Sequence, residues 1–396
     1  MDGMTLPHAE WRHRLGLDRL VEVLGDARFV GGSVRDTLLG IPVSDVDLAT
    51  PLAPQRVVEL LRAAGIKAIP TGIEHGTITA VLESGQVEVT TLRRDVSTDG
   101  RRATVAFTDD WREDAARRDF TMNALYADPR TGEMFDYFGG LADLEARHVR
   151  FIGDPFKRIA EDHLRILRFF RFLARFGDQA DPAGLDACTV RAKDLMALSR
   201  ERIRDELLKL LVTKDAVRVV RLMIERGIFE PVLPEITSAD LLAHVVKREA
   251  ATGIAPDPIR RLAAVLPRDG ASADQIGARL KLSNAERKRL VAATGEPLDA
   301  PKPLAYRLGR EIALDRLLLS DRDLAEIEEI RSWEAPRLPL SGGALVARGL
   351  AKGPDVARAL RAVEDRWIAE GFPGQERVNA LADEIVAQVR LATSSE

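Results

Sequence analysis

The sequence predicts an α+β fold in which a small mixed β-sheet is followed by a long all-helical region. About the first 150 residues mix strand-like and helix-like patterns, whereas the chain after Asp154 consists almost entirely of amphipathic helical runs broken at glycine and proline. The chain has 396 residues, of which 45% are hydrophobic, so it can bury the cores of two or more domains.

Strand-like stretches of the first part are rich in β-branched and aromatic residues and are bounded by turn residues. They are ARFVGG, SDVDLAT, GIKAIP, GTITAVLESGQVEVTTLR and NALYADPRTGEMFDYF. The ESGQ and DPRTGE turns within the last two predict β-hairpins. Later runs carry apolar residues at three- and four-residue spacing, which predicts helices. The clearest are PFKRIAEDHLRILRFFRFLARFG, RERIRDELLKLLVT and DAVRVVRLMIERG.

Composition narrows the class of protein. A formal net charge of −4 gives no global basic signal, so any contact with nucleic acid must come from local clusters of arginine. The single cysteine, Cys188, excludes an internal disulfide and a multi-cysteine zinc site, which fits a reducing compartment. The first residues, MDGMTLPHAEW, resemble neither a signal peptide nor a membrane anchor. We therefore expect a cytoplasmic protein.

A glycine pair, Gly31 and Gly32, follows the first predicted strand and precedes the helical run SVRDTLLG. Glycine permits close approach of the backbone, and a helix N-terminus offers NH donors to a phosphate. Arg35 adds a guanidinium about one turn further on. A simple strand-to-helix turn explains an isolated glycine pair equally well, and no GK[ST] follows that would make it a Walker loop.

Two aspartates in the next predicted strand, Asp45 and Asp47, are expected to face the same side because strand side chains alternate. Two like charges need a counterion, and Mg²⁺ is usually bound through one or two carboxylates together with substrate phosphates. Glu88, between Val87 and Val89, supplies a third carboxylate. Three carboxylates on neighbouring strands are typical of a two-metal phosphoryl-transfer site, whereas a solvated strand face would explain the aspartates alone.

These motifs carry a family resemblance. The glycine pair, the twelve residues 33–44 and DVD resemble the signature of the DNA polymerase β nucleotidyltransferase superfamily. From about Phe29 to about Leu211, ordered motifs are similar to those of class II CCA-adding tRNA nucleotidyltransferases, within the tRNA nucleotidyltransferase/poly(A) polymerase family. They are GGSVRD, DVDLAT, EHGTIT, EVTTLR, DGRRATVAF, ARRDFTMNALY, DYFGGLADLEARHVRFIGDP and RIAEDHLRILRFFRF.

The resemblance implies a nucleotidyltransferase head domain over residues 1–150, a helical neck that recognises the base over 151–212, and helical body and tail domains that bind tRNA over 213–396. It implies that the tRNA 3′ hydroxyl attacks the α-phosphate of CTP or ATP and releases pyrophosphate, with no template and no covalent enzyme intermediate. Two Mg²⁺ ions would be held by Asp45 and Asp47, with Glu88 as the third ligand. No membrane and no protein partner is implied.

The motif ARRDFTMNALY contributes Arg118 and Asp119, which in the family contact the ribose and phosphate of the nucleotide. Without the resemblance, surface ion pairing would explain them. The preceding segment, Asp95 to Trp111, is polar and contains glycine, and it resembles the flexible loop associated with addition of the final A. Its presence argues against an enzyme that adds only CC.

The predicted neck helix carries acidic and basic residues on a narrow polar face. Asp162 and Arg165 are three residues apart, so on one helix they would share a face and meet the edge of one base. Arg168 and Arg171 follow at three-residue steps and would reach triphosphate oxygens, where bidentate arginine contacts are strong. An exposed helix held by ion pairs is the structural alternative.

Other charged segments have less specific patterns. The run SRERIRDELLKLL, with Glu201, Arg202, Asp205 and Glu206, is interpreted as a helix that supports the neck. The basic residues 247–248, 260–261 and 287–289 are interpreted as solvated helix faces or as contacts to tRNA phosphates.

Alternative functions stay open at this point. A bacterial poly(A) polymerase shares the head and neck motifs, and a partial enzyme would add only CC or only A. A fused phosphohydrolase is disfavoured because no histidine is followed by aspartate. A noncatalytic RNA-binding relative would be expected to have lost some of the three carboxylates, and all three are present.

Overall fold

The computed structural model describes residues 4–99 and 102–393, without the side chains of 95–105 and 392–396. The described chain divides into two compact units, Met1–Ser238 and Ala239–Glu396. The first unit contains the strands, and the second is helical. The α+β prediction is therefore confirmed.

Strands of the first unit form a mixed sheet. In chain order they are β1 (Arg28–Val30), β2 (Asp47–Thr50), β3 (Lys67–Gly72), β4 (Thr77–Leu82), β5 (Gly85–Thr91), β6 (Arg93–Asp99), β7 (Arg102–Phe107), β8 (Leu125–Ala127), β9 (Met134–Asp136), β10 (His148–Val149) and β11 (Gln179–Ala180). Among the described residues, the main sheet has seven strands in the order β3-β4-β5-β2-β1-β8-β9. Only its β2–β5 pair is parallel. The hairpins β4–β5 and β8–β9 close at the predicted turns.

The segment predicted to be a loop between Asp95 and Trp111 has a different backbone. Strands β6 and β7 pair antiparallel, with Ser97 opposite Thr104 and Arg93 opposite Phe107. Alternating threonine, valine and alanine favour an extended ladder over a loop, so this expectation is wrong for most of the segment. The tip, residues 100–101, lies outside the described residues.

The first unit also contains helices, and those after residue 151 include the segment predicted to be the neck. The helices are α1 (Leu17–Leu24), α2 (Gly32–Leu38), α3 (Pro54–Ala63), α4 (Trp111–Ala116), α5 (Gly140–Glu145), α6 (Pro155–Glu161), α7 (Arg165–Phe176), α8 (Pro182–Val190), α9 (Arg200–Leu211) and α10 (Ala216–Glu225). Helix α1 packs on α3, which contacts β3 and β4. Helix α6 begins at a proline that follows a capping aspartate, Asp154.

The neck is two helices rather than one. Helix α6 ends at Glu161, and Asp162 adopts an extended backbone with φ −151° and ψ 108°. Its carboxylate accepts the Leu164 NH at 3.1 Å, just before α7 begins at Arg165. An aspartate whose side chain accepts a backbone NH two residues further on competes with the hydrogen bonds of the helix. The expectation that Asp162 and Arg165 lie on one helix face is therefore wrong.

Helix α7 is anchored by aromatic packing. Phe169 stacks on Phe151 with ring centroids 5.4 Å apart, and Phe172 packs on Phe120 at 4.8 Å. These four side chains are at most 3% exposed. Burying each contributes roughly 1.5–3 kcal/mol, so the apolar face holds the helix while its arginines turn outward from this core.

The second unit consists of helices. They are α11 (Asp240–Thr252), α12 (Pro258–Ala263), α13 (Gly270–Arg279), α14 (Asn284–Ala293), α15 (Pro301–Leu308), α16 (Arg310–Leu318), α17 (Leu324–Arg331), α18 (Gly342–Ala347), α19 (Pro354–Ala369) and α20 (Gln375–Thr393). One apolar cluster joins α15, α16 and α17, and another, centred on Trp367, joins α18, α19 and α20. No described helix is both long and apolar enough to cross a bilayer.

Three of the basic residues singled out in the second unit are not where the sequence suggested, whereas Lys247 and Lys288 are exposed, as expected for solvated helix faces. Arg260 and Arg261 are 5% and 4% exposed, and both donate to Glu249. Arg260 also bonds the Asp315 carboxylate, as does Arg289. These three arginines lie in a buried ion network, neither on solvated faces nor where they could meet phosphates, because a buried charge requires a partner of opposite sign.

Candidate active site

The glycine turn joins β1 to α2. Gly31 has φ 70°, in the region that favours glycine, and its NH bonds the Leu125 carbonyl at 3.1 Å. The NH of Gly31 is therefore occupied by a bond to the sheet. The NH donors that the start of α2 could offer to a phosphate begin at Gly32. Arg35 lies inside the structure at 6% exposure and bonds Asp36 at 2.7 Å. Its proposed contact with phosphate stays a prediction.

Carboxylates line the sheet beside this turn. Asp47 and Glu88 are direct neighbours across the parallel β2–β5 pair. Asp45 lies just before β2, and the intervening Val46 is buried at 2% exposure, as expected for side chains that alternate. Burial raises the pKa of Asp47 to about 6, and the charges of Glu88 and Asp45 add to the rise, while Arg118 opposes it. Asp47 is thus close enough to both other acids to be repelled by each.

The donor set fits a hard divalent cation, because it consists of carboxylate oxygens. Within the described chain, no group of three or more His, Cys, Asp or Glu side chains is arranged to hold a metal ion by itself. Since Mg²⁺ is usually bound through one or two carboxylates plus substrate phosphates, the phosphates of a nucleotide would complete the coordination. The roles of Asp45, Asp47 and Glu88 as ligands stay predictions.

Arg118 is aimed at the glycine turn by a buried network. A Cβ atom on Gly31 would lie 3.4 Å from its Nη1 atom. Its Nη2 donates to Asp114 at 3.1 Å, and its Nε donates to the Tyr126 hydroxyl at 3.2 Å. Burial alone would raise the pKa of Asp114, but Arg118, Arg117 and a hydrogen bond from Tyr126 lower it to about 2. The acid stays ionised and orients the guanidinium.

Asp119 is fully engaged by protein groups. One oxygen accepts Arg168 Nε at 2.8 Å, and the other accepts the Phe120 NH and Asn123 Nδ2, both at 2.8 Å. Burial would raise the pKa of Asp119, yet these partners, above all Arg168, hold it below its usual value. The Asn123 Oδ1 atom accepts Arg35 Nη1 at 2.5 Å. A continuous polar chain therefore links α2 to α7 through Asp119.

The residues predicted to read the base have other partners. Asp162 accepts Arg202 Nη2 at 2.8 and 3.0 Å on its two oxygens. Arg165 Nη1 donates to Glu161 at 2.5 Å, and its Nη2 donates to the Arg117 carbonyl at 3.0 Å. Asp162 is 32% exposed and Arg165 is 13% exposed. Arg165 is thus tied to the chain next to Arg118, and Asp162 stays accessible.

The two remaining neck arginines diverge. Arg168 bonds Asp119, whereas Arg171 bonds Glu206 of α9 at 2.5 Å. The pairs Arg202–Asp162 and Arg171–Glu206 confirm that α9 supports the neck. Arg171 therefore points toward α9, and its predicted contact with triphosphate is not tested by this geometry.

The structure brings most predicted site residues into two adjoining groups. The first surrounds the turn and sheet: Gly31, Gly32, Asp45, Asp47, Glu88 and Arg118. The second runs from α2 to the neck: Arg35, Asp119 and Arg168. Sequence reasoning missed Asp114, Asn123 and Tyr126. The available signal was that these polar residues stand beside apolar ones in REDAARRDF and TMNALY. A polar side chain that is buried with apolar neighbours needs a hydrogen-bond partner, so the pattern indicates a buried polar network.

Comparisons with known families cover most of the first unit. The family model described as "Poly A polymerase head domain" matches residues 27–150. The model described as "Probable RNA and SrmB- binding site of polymerase A" matches residues 181–240. The first match contains the turn, the three carboxylates and Arg118.

Relatives match over nearly the whole chain. "CCA tRNA nucleotidyltransferase 1, mitochondrial" of Mus musculus is 36% identical over 381 residues, which cover 90% of this chain and 87% of the relative. The "CCA-adding enzyme" of Lacticaseibacillus paracasei is 31% identical over 395 residues, covering 94% and 96%. The Bacillus stearothermophilus CCA-adding enzyme in complex with CTP has a TM-score of 0.77 and 28% identity, covering 98% of this chain and all of that one. The resemblance inferred from the motifs is confirmed, and the chain belongs to the class II CCA-adding tRNA nucleotidyltransferases.

Proposed function

We propose that the protein adds CCA to the 3′ end of tRNA, without a template, from CTP and ATP and with release of pyrophosphate. The observation that carries this proposal is the pairing of Asp47 with Glu88 across β2 and β5, beside Asp45 and Arg118. Carboxylates that lie this close together need a cation to balance their charge. Arg118, held beside the Gly31 turn, offers hydrogen-bond donors to phosphate oxygens. A similar fold has been solved with CTP in the Bacillus stearothermophilus enzyme.

The chain's own residues would position the reacting groups. Asp45, Asp47 and Glu88 would hold Mg²⁺, which when bound favours ionisation of the tRNA 3′ hydroxyl and neutralises charge on the triphosphate. Arg118, oriented by Asp114 and Tyr126, would donate to phosphate oxygens near Gly31. The 3′ oxygen forms a bond to the α-phosphorus while the bond from that phosphorus to the pyrophosphate oxygen breaks. Asp119 would act through Arg168 and Asn123 as a positioning residue.

Base selection is assigned to Asp162 and Arg165. An ionised carboxylate only accepts and a guanidinium only donates, so together they complement an amino donor beside a ring-nitrogen acceptor. Cytosine and adenine both present that edge, whereas uracil and guanine present the opposite one. This proposal requires the carboxylate of Asp162 to meet the base while Arg202 keeps it in place, which its 32% exposure allows. It also requires Arg165, which is 13% exposed, to turn an NH group from Glu161 or from the Arg117 carbonyl to the base.

Two further assignments rest on the sequence. We propose the three-part division into residues 1–150, 151–212 and 213–396, and we propose the cytoplasm as the compartment. The first follows the change from head motifs to neck motifs to helical runs, and the second follows the single cysteine, which fits a reducing compartment.

The proposed function is tested by incubating the purified protein with a tRNA transcript that lacks its 3′ CCA. CTP alone should yield CC, and CTP with ATP should yield CCA, as read by sequencing the products. A run of A from ATP alone would indicate a poly(A) polymerase, and products that stop at CC would indicate a partial enzyme. Either result would overturn the proposal.

A further inference from the structure

The first compact unit contains a basic pocket between α7 and the end of α9. It has a volume of about 490 Å³ and is lined by Arg171, Arg175, Lys209, Val212, Thr213 and Lys214. The first two cations come from successive turns of α7, and the lysines come from α9 and from the chain just after it. Four cationic side chains therefore surround one concavity.

Positive charge in the basic pocket exceeds the negative charge that contacts it. Arg171 pairs with Glu206, and Arg175 lies 3.6 Å from Asp36. In the part of the chain that the structure describes, no carboxylate lies within ion-pair distance of Lys209 or Lys214, and both are exposed. Four cations thus face two acids in a chain whose overall charge is −4. A cleft lined by one sign of charge focuses its field and attracts counterions of the opposite sign.

The basic pocket borders the candidate active site. Arg171 follows Arg168 by one helical turn, and Arg168 holds Asp119 beside Arg118. At the other side, Arg175 faces Asp36 of α2, the helix that starts at the glycine turn. An RNA strand that delivers its 3′ end to the carboxylates needs a neighbouring surface for its preceding phosphates.

We propose that the basic pocket binds backbone phosphates of the tRNA, close to its 3′ end, with Lys209 and Lys214 as the phosphate-contacting residues. This inference rests on the proposed function, because that function supplies the RNA. The incoming nucleotide is the other source of phosphate. Its triphosphate belongs beside Asp47 and Arg118, however, and Arg175 lies about 10 Å further along the α7 axis than Arg168.

The test measures binding of a tRNA transcript that lacks its 3′ CCA, without nucleotide, over a series of NaCl concentrations. Variants are Lys209→Ala, Lys214→Ala and the double variant, with Lys67→Ala as control. Lys67 is also an exposed lysine, and it lies on the edge strand β3. Each pocket variant should reduce the slope of log Kobs against log[salt] by about 1, and the double variant by about 2. At fixed salt the double variant should raise the Kd about tenfold.

Kinetic measurements separate the possible sources of phosphate. The double variant should raise the KM for tRNA and leave the KM for CTP, and kcat at saturating tRNA, close to wild type. A raised KM for CTP with unchanged tRNA binding would assign the basic pocket to the triphosphate and overturn the inference. A Kd and salt slope equal to those of Lys67→Ala would also overturn it. Failure of the proposed function appears separately, as a wild-type protein that adds no C or A.

Discussion

At the residue scale, electrostatics around Asp47 define what the site can do. Its carboxylate is partly buried next to two other acids, and its pKa is raised to about 6 by burial first and by Glu88 and Asp45 next. A cation at this position would reverse that repulsion, because opposite charges favour the ionised form. The neighbouring Asp114 shows the contrast, since two arginines lower its pKa to about 2.

Replacing either aspartate should abolish chemistry while leaving RNA binding intact. We expect Asp45→Ala and Asp47→Ala to reduce incorporation of both C and A by about 10³-fold or more, since loss of a metal ligand costs several kcal/mol of transition-state stabilisation. Incorporation is measured in Mg²⁺, and the Kd for tRNA is measured by filter binding. Glu83→Ala, an exposed acid in the β4–β5 turn, is the control. Near-normal turnover by Asp45→Ala would refute the metal assignment.

Asp162 supports a second prediction at this scale. Asp162→Ala and Arg165→Ala should each weaken discrimination against UTP and GTP by about 5- to 150-fold, the equivalent of about 1–3 kcal/mol for a bidentate contact. The measurement is kcat/KM for the four nucleotides on one tRNA. Arg202→Ala removes the partner of Asp162 without removing the carboxylate, so it should retain more selectivity. Wild-type ratios of CTP to UTP and ATP to GTP in both variants would leave the pair with a structural role only.

At the element scale, short polar connections couple the sheet to the neck. Helix α2 reaches α7 through Arg35, Asn123, Asp119 and Arg168. Arg35 also lies over the Phe176 ring, 4.2 Å from its centroid. Polar bonds fix orientation while aromatic packing resists displacement. This combination holds the glycine turn and the neck arginines in one arrangement.

The β6–β7 hairpin carries the element-scale prediction. Replacing residues 98–103 by Asn-Gly keeps the pair Ser97–Thr104 and closes it with a favoured two-residue turn. We expect CC addition to persist and addition of the terminal A to fall about tenfold or more, because a displaced positioning element costs rate. Replacing Glu83-Ser84 by Asn-Gly in the β4–β5 hairpin is the matched control. Equal losses of C and A addition would show a general role in folding or catalysis.

At the scale of the whole molecule, the two compact units are stabilised differently. The first is built on a sheet and an aromatic cluster, whereas the second contains a buried ion network around Glu249, Asp315 and their arginines. Removing one partner of a buried pair leaves an uncompensated charge, which is strongly destabilising. The basic composition of the second unit is therefore partly structural.

Stability of the full chain should reflect this network. Asp315 is 0% exposed and bonds Arg260 and Arg289, so Asp315→Asn should lower the free energy of unfolding by about 3–5 kcal/mol. Asp321→Asn is the control, because the Asp321 side chain is fully exposed, and it should have a small effect. Urea denaturation followed by circular dichroism measures both. Equal midpoints for the two variants would contradict a stabilising role of the network.

The sequence by itself determined the fold class, the hairpins and the family, because these depend on local periodicity, turn residues and ordered motifs. It also predicted that the carboxylates of Asp47 and Glu88 face away from their valine neighbours, since side chains alternate along a strand, whereas the pairing of β2 with β5 belongs to the tertiary structure. Local patterns were enough to predict those features that depend on the residues of a single segment.

Only the tertiary structure decided which partner each charged side chain has. Arg168 bonds Asp119, 49 residues away, and Arg202 bonds Asp162, 40 residues away. No local pattern predicts the burial of Arg260 and Arg261, because buried and exposed arginines cannot be distinguished until an acid from another helix pairs with them. The break at Asp162 likewise depends on a competition between its side chain and the helix ladder. The burial and the partners of these side chains depend on interactions between residues far apart in the sequence, which no local pattern contains.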